Sequence, residues 1–524
     1  MSATTGVERV ALGTPAHRVA WPPIRAAAVL PLLAAGTALA ARLWSGAHPV
    51  DDAFITFRYA RNLATGAGLA YNPGEWVLGT TSPVWAVLLA LGYRVGLTDL
   101  PGLALSVSAL FDASTAALLA WLGIRLARQP AGAGVGFAWA LNAPSTAYAA
   151  GGMETSLFVL AVLGALVLAA RGRWTTAAVV AGLSAGVRPE GALAAAAVVT
   201  AHLAMVRGWR RSLPVGIAAA VPIALGAIWI AATYGTLVPQ TVIAKQGAYL
   251  PQPPWTSAAI LALQAGLPGW STFFPSLVPL AIALPLALGG LAAFAVLTVR
   301  GLRRRGKTDR RWLPFAVFLL LYLAFHTLAG ARGGRLFPWY LVPAIPLYLL
   351  AAAAGLATCR PRVAALGLAG LVLWQMPAVD WSRPFLPAGF DLRRETLYAQ
   401  VGSDLAATYP PATRLAAPEI GTLGYRSGLR VLDTVGLVSP VASRFYPLPP
   451  NEVVGDNGVP AGLIRQEQPE LVVALDQFVR LSLQPDPWFQ QAYRLVRTVP
   501  APIWESRELL VYERIVPLVE RLNP

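Results

Sequence analysis

Apolar runs close to twenty residues long recur along most of this chain, and they constrain its fold more than any other feature. A helix rises about 1.5 Å per residue, so each such run spans the roughly 30 Å of a bilayer's hydrocarbon. Lipid offers the backbone no hydrogen-bond partner, so these runs must be helices packed side by side. The class that follows is an α-helical polytopic membrane protein. Composition agrees: 56% of the 524 residues are hydrophobic and 13% are charged, against about 25% charged in ordinary soluble domains.

Short arginine clusters separate the runs: Arg125/Arg128, Arg171/Arg173, Arg207/Arg210/Arg211, Arg303 to Arg311, and Arg360/Arg362. Loops rich in arginine lie on the cytoplasmic side. The net charge of +16 is therefore read as loop charge, and nucleic acid is discounted as a partner. All clusters share one side if spans cover 26–44, 101–124, 131–149, 156–170, 174–187, 191–206, 213–233, 274–299, 312–329, 340–357 and 363–379. That gives about eleven crossings, provided the run 83–97 lies along the outer surface instead of crossing. The first span is read as uncleaved, with the N-terminus inside. The extracytoplasmic pieces are then 45–100, 150–155, a tip near 188–190, 234–273, 330–339 and everything beyond about 380.

From Asp380 onward the composition becomes that of a soluble domain. Helical periodicity over 393–408 and buried-strand patterns over 414–419, 470–475 and 509–515 predict a small extracytoplasmic α/β domain. The division is thus 1–379, a membrane domain carrying the outer loop 45–100, and 380–524, the α/β domain. Cys359 is the only cysteine, and the four histidines show no ligand spacing, so neither disulfides nor a cysteine-based metal site is expected within the chain.

Directly after the first span comes DDAFITFRYARNLATGAGLAYNPGE, residues 51–75. Aspartates at a helix start cap free backbone N–H groups, which is the ordinary reading of an Asp-Asp pair. In a helix beginning near 51, however, Asp51, Ile55, Arg58 and Asn62 share one face, with Asp52, Thr56 and Tyr59 on the next. A carboxylate, a guanidinium and an amide then line one surface at the membrane boundary, an arrangement suited to an acceptor hydroxyl beside an anionic leaving group. Adjacent carboxylates also push one pKa upward, which suits a general base.

This string, followed by T-S-P-x-W (81–85), resembles the first outer loop of bacterial GT-C glycosyltransferases, in particular the branch of the mycobacterial terminal arabinofuranosyltransferases. Further likenesses follow in order: G-M-E-T (152–155), R-P-E-G (188–191), Y-G-T-L-V-P-Q-T-x-x-A-K (234–245), G-T-L-G-Y-R-S-G (421–428) and D-T-V-G-L (433–437). Two departures stand out. Gln240 replaces an expected asparagine, and the loop 331–340 lacks the acidic residue some relatives carry.

The resemblance implies an inverting transferase that moves a sugar from a polyprenyl-phosphate donor to a cell-envelope glycan, lipid or protein acceptor. Asp51 or Asp52 would be the catalytic base. Arg58, Arg188, Lys245, Arg332 and Arg335 would hold the donor phosphate, while Glu154, Tyr59, Asn62 and Glu190 would contact the acceptor. No cofactor is required; a divalent cation, if used, would sit at Asp52 and Glu154. Plainer readings stand beside these. Arg188 could pair with Glu190 at a helix break, Lys245, Arg332 and Arg335 could be solvated or touch lipid headgroups, and Glu154 could be a solvated boundary residue. Asp112, expensive in mid-span, is expected to be protonated or hydrogen-bonded in packing. Trp76, Trp85, Trp339 and Tyr340 are expected in interfacial belts. The competing class is a transporter or flippase of lipid-linked sugars using Asp112, Arg188 and Glu190, although the chain lacks the internal symmetry many transporters show.

Overall fold

The computed structural model describes residues 24–206, 208–248, 253–266, 310–331, 336–375, 379–380, 386–387, 392–454 and 458–515. Arg207, Arg332, Arg335 and the span expected at 274–299 lie outside the described residues. Four described helices are long and apolar enough to cross a membrane: Ala28–Ser45, Leu100–Ala127, Trp209–Tyr234 and Pro338–Leu356. Several shorter apolar helices accompany them.

Helix α1 (Ile24–Ser45) packs along a longer helix (Leu100–Ala127). Alanines 34, 38, 109, 113 and 116 are buried there, and small side chains let helix backbones approach closely. An ion pair fastens the two: Arg42 Nε lies 2.9 Å from Asp112 Oδ2, both fully buried. Arg42 also donates to the carbonyls of Trp139 and Ala140 and to Ser145 Oγ. Those acceptors exist because the span expected at 131–149 is broken. Its two pieces, Gly134–Ala140 and Ala143–Ala150, meet at Leu141 and Asn142, and Asn142 Oδ1 caps the second piece by accepting from Ser145 N at 2.9 Å. Asp112 therefore serves packing, as expected, with an arginine partner from the end of the first span.

Helix α2 (Asp51–Ala64) follows α1. Helix α3 (Pro83–Arg94), only 12 residues long, is too short to cross a bilayer. It buries Trp85, Ala86, Leu89 and Ala90 and exposes Val84, Val87 and Leu91. Trp85 is no interfacial anchor: it is fully buried, with its indole N–H on the Gly152 carbonyl at 3.0 Å. Two further apolar helices, Trp174–Val187 and Gly191–Met205, are separated by the expected break at Arg188-Pro189-Glu190.

Beyond the membrane helices, a helix over Arg393–Thr408 precedes a five-stranded mixed sheet. Its strands are β1 (Arg414–Ala417), β2 (Arg430–Asp433), β3 (Leu471–Leu475), β4 (Tyr493–Ile503) and β5 (Ser506–Arg514), in the order β2-β1-β3-β5-β4. Strand β1 is parallel to β2 and β3, while β5 is antiparallel to β3 and β4. The sequence reading missed β2 and β4. Strand β2 is a four-residue edge strand with a charged residue at each end, Arg430 and Asp433, and β4 contains Pro500 and Pro502, tolerated because it is an edge.

Helix α2 belongs to both cores. Ala53, Phe54, Phe57 and Ala60 pack into the membrane-helix core, whereas Ile55 and Tyr59 join the core of the sheet. Its two faces thus look at different parts of the molecule.

Candidate active site

The tandem aspartates diverge because successive residues on a helix point about 100° apart. Asp51 faces the short helix Gly421–Ser427. Its carboxylate accepts from Gly421 N at 3.1 Å and Thr422 N at 2.7 Å, an N-terminal cap supplied by a distant part of the chain. Its own backbone N–H donates to Glu395 Oε1 at 3.2 Å. The G-T-L-G motif is explained by this junction. A Cβ on Gly421 would lie 1.8 Å from the Asp51 carbonyl oxygen, and one on Gly424 would lie 2.0 Å from the Tyr71 hydroxyl.

The rest of that face is equally committed. Arg58, buried, donates to the carbonyls of Tyr71 (2.8 Å), Gly424 (2.5 Å) and Leu429 (2.7 Å) and to Asn72 Oδ1 (3.1 Å). Its guanidinium also lies over the Tyr71 ring. Expected to hold the donor phosphate, Arg58 places four N–H hydrogen bonds on groups of the outer loop and the sheet unit, clamping one to the other. Tyr59 and Asn62, expected to contact the acceptor, are engaged likewise. Tyr59 donates to the Val77 carbonyl and accepts from Gly79 N, while Asn62 holds the carbonyls of Ala70 and Tyr71. Gln240, the departure from asparagine, donates to the Gly436 carbonyl at 3.1 Å and Ser443 Oγ at 2.9 Å. Asp433 anchors the D-T-V-G-L turn by accepting from Val435 N and Val438 N, each at 2.9 Å.

Asp52 is different. Half-buried, it forms no hydrogen bond or ion pair among the described residues. Burial raises its carboxyl pKa above the ordinary range; Lys245 opposes that, Asp51 adds to it, and Arg394 opposes it. Lys245 Nζ sits 4.5 Å from the Phe337 ring centre and 5.9 Å from that of Trp339. Asp52, Lys245 and the aromatic wall Phe337–Trp339 are thus brought together from three distant segments.

Arg188, Glu190 and Glu154 form a separate buried group. Arg188 lies 3.0 Å from Glu190 Oε1 and 3.7 Å from Glu154 Oε1, and its guanidinium lies over Tyr340 and Phe158. Two carboxylates already offset its charge, so the expected phosphate contact for Arg188 gives way to the ion pair at the helix break. Glu154 and Glu190, expected to contact the acceptor, both lie against Arg188. Among the described residues no group of three or more His, Cys, Asp or Glu side chains is placed to hold a metal ion.

Sequence reasoning missed a second buried network at the junction. Arg394 pairs with Glu395 at 2.5 Å and Glu419 at 2.9 Å, and Tyr398 donates to Glu419 at 2.7 Å. Burial pushes the Glu419 carboxyl up to about 7 against the pull of Arg394. The signal was available: R-E opens the predicted helix at 393–408, and Glu419 immediately precedes I-G-T-L-G.

Residues 390–512 match a family described as a domain of unknown function, DUF8728. The chain is 33% identical over 270 residues to the terminal β-(1→2)-arabinofuranosyltransferase of Mycobacterium tuberculosis, covering 47% of this chain and 41% of that protein. The chain thus spans about two fifths of the length of the curated relative it matches. In three dimensions it is similar to ArnT from Cupriavidus metallidurans, solved in a crystal structure bound to undecaprenyl phosphate. That superposition has a TM-score of 0.58 at 14% identity and covers 92% of this chain and 97% of that one. The chain therefore has a fold similar to that of ArnT, and over 270 residues it resembles the mycobacterial arabinofuranosyltransferase in sequence.

Proposed function

We propose that this protein is an inverting membrane glycosyltransferase that uses a polyprenyl-phosphate sugar donor, with Asp52 as its general base. The observation that carries this reading is the contrast between the paired aspartates. Asp51 accepts from two backbone N–H groups, whereas Asp52 has a raised carboxyl pKa, faces the charge of Lys245 and makes no hydrogen bond among the described residues. Support also comes from the likeness to an arabinofuranosyltransferase and from the ArnT fold, seen with undecaprenyl phosphate.

In this reading an acceptor hydroxyl attacks the anomeric carbon while Asp52 takes its proton. The new C–O bond forms as the bond to the phosphate oxygen breaks, and the departing polyprenyl phosphate keeps the electron pair. Lys245, with Arg332 and Arg335, offsets that charge, so neither a cofactor nor a cation is needed. The acceptor is a cell-envelope glycan, lipid or protein on the outer face of the plasma membrane. The eleven-span topology, the cytoplasmic N-terminus, the outer loop 45–100 and an extracytoplasmic unit 380–524 belong to this proposal.

The test is sugar transfer by purified protein given a polyprenyl-phosphate pentose or hexose and an envelope glycan acceptor. Asp52→Asn should lower turnover by roughly 100-fold or more, the range for loss of a general base. Full turnover by that variant would overturn the assignment.

A further inference from the structure

A group outside the mechanism just described lies close to Asp52. Tyr148 sits near the end of the short helix Ala143–Ala150 and is 2% exposed. Its hydroxyl has no hydrogen-bond partner among the described residues. Leaving a buried polar group unpaired is costly, so such a group calls for an explanation.

Its surroundings supply one. The end of the Tyr148 helix is bonded to the segment that leads into α2: His48 N donates to the Ala150 carbonyl at 2.9 Å and Val50 N to the Gly151 carbonyl at 3.1 Å. Tyr148 and Asp52 are therefore fixed relative to one another. The two segments are in close contact: a Cβ on Gly151 would lie 3.5 Å from Val50, two residues before Asp52, and 3.6 Å from the Tyr148 Cα. The Tyr148 ring meets Trp339 edge to face, with centroids 6.1 Å apart, and Trp339 belongs to the aromatic wall beside Lys245. Lys245 provides the cation a phosphate needs; Tyr148 provides a neutral donor beside a half-buried indole. That pairing suits a sugar, which presents hydroxyl oxygens at its edge and C–H groups on its face.

We infer that Tyr148 is a substrate-contacting residue whose hydroxyl bonds to a hydroxyl of the sugar being transferred. This rests on the proposed transferase reading and adds a residue that sets donor-sugar recognition.

Tyr148→Phe removes one oxygen and leaves the ring packing in place. In the purified full-length protein, kcat/KM for the polyprenyl-phosphate sugar should fall by about tenfold to a hundredfold, the usual effect of deleting one substrate hydrogen bond. Inhibition by polyprenyl phosphate lacking the sugar should be unchanged. The melting temperature should stay equal or rise, because a buried hydroxyl with no partner among the described residues has been removed. Three results would overturn the assignment. One is transfer within twofold of wild type. Another is a weakened inhibition by the sugar-free lipid phosphate, which would place the contact on phosphate. The third is a lowered melting temperature that accounts for the lost activity, the signature of a packing role. Asp52→Asn, assayed in parallel, separates the two claims. If that variant is fully active the transferase mechanism fails, whereas an inactive Asp52→Asn beside an unaffected Tyr148→Phe removes the tyrosine alone.

Discussion

The two faces of α2 differ in how completely their polar groups are paired. Toward the sheet unit, Asp51, Arg58, Tyr59 and Asn62 spend their donors and acceptors on backbone groups of the outer loop and of residues 420–431. Toward the membrane helices, Asp52 lacks a hydrogen bond among the described residues and the nearby Tyr148 hydroxyl is unpaired. Identical residue types one position apart therefore do different work. The saturated face holds the sheet unit against the helices, and the unsaturated face keeps its polar atoms for a ligand. Rigidity on one side is what lets the other stay poised, since a reactive carboxylate is useful only when its position is fixed.

The comparison can be broken most severely at the glycines. Gly421→Val should prevent the sheet unit from docking, because a Cβ there meets the Asp51 backbone oxygen at 1.8 Å. Protease sensitivity of the C-terminal unit would report this, and normal protection would contradict the junction. Next in size, Arg58→Ala takes the donor from the buried Leu429 carbonyl, and one of two donors from the Tyr71 and Gly424 carbonyls and from Asn72 Oδ1. Each unpaired buried group costs about 1–3 kcal/mol, so a large drop in melting temperature is expected, with any surviving folded protein retaining transfer. Arg58→Lys should recover only part of the stability, since one ammonium cannot reproduce the planar fork.

A smaller effect sharpens the comparison through pH. The Glu419 carboxyl is raised from 4.5 to about 7, so the folded protein holds a proton there that the unfolded chain releases earlier. The stability tied to that proton is complete below about pH 4.5 and is lost as pH rises toward 7. Glu419→Gln should flatten this decline, measured as melting temperature between pH 4.5 and 7. Asp433, pushed up to about 6 by burial, contributes in the same direction and leaves a residual slope. An unchanged pH profile in Glu419→Gln would show that the carboxyl is not protonated in the folded state.

Much of the architecture was legible because it rests on local periodicity. Apolar length marked the membrane helices, the 3.6-residue pattern marked Arg393–Thr408, and Arg188-Pro189-Glu190 announced a helix break. The site was legible only as a neighbourhood. The helical spacing of residues 51–62 grouped Asp51, Arg58 and Asn62, but which face meets the sheet unit depends on contacts 344 to 371 residues away. No local pattern carries that information. Arg58 read as a free cation because its partners, backbone carbonyls, are assembled only by the fold, whereas the local Arg188–Glu190 pair was legible as an alternative and the Glu154 contact was not. Tyr148 gave no signal, since its importance lies in a missing partner.

The central claim is the division of labour between Asp51 and Asp52, and transfer turnover by the two single asparagine variants tests it most directly when normalised to the fraction of folded protein. The account predicts that Asp52→Asn keeps the wild-type melting temperature and loses turnover by roughly 100-fold or more. It predicts that Asp51→Asn melts lower yet turns over within a few-fold of wild type per folded molecule. Equal turnover losses in two equally stable variants, or a normal rate in Asp52→Asn, would contradict it.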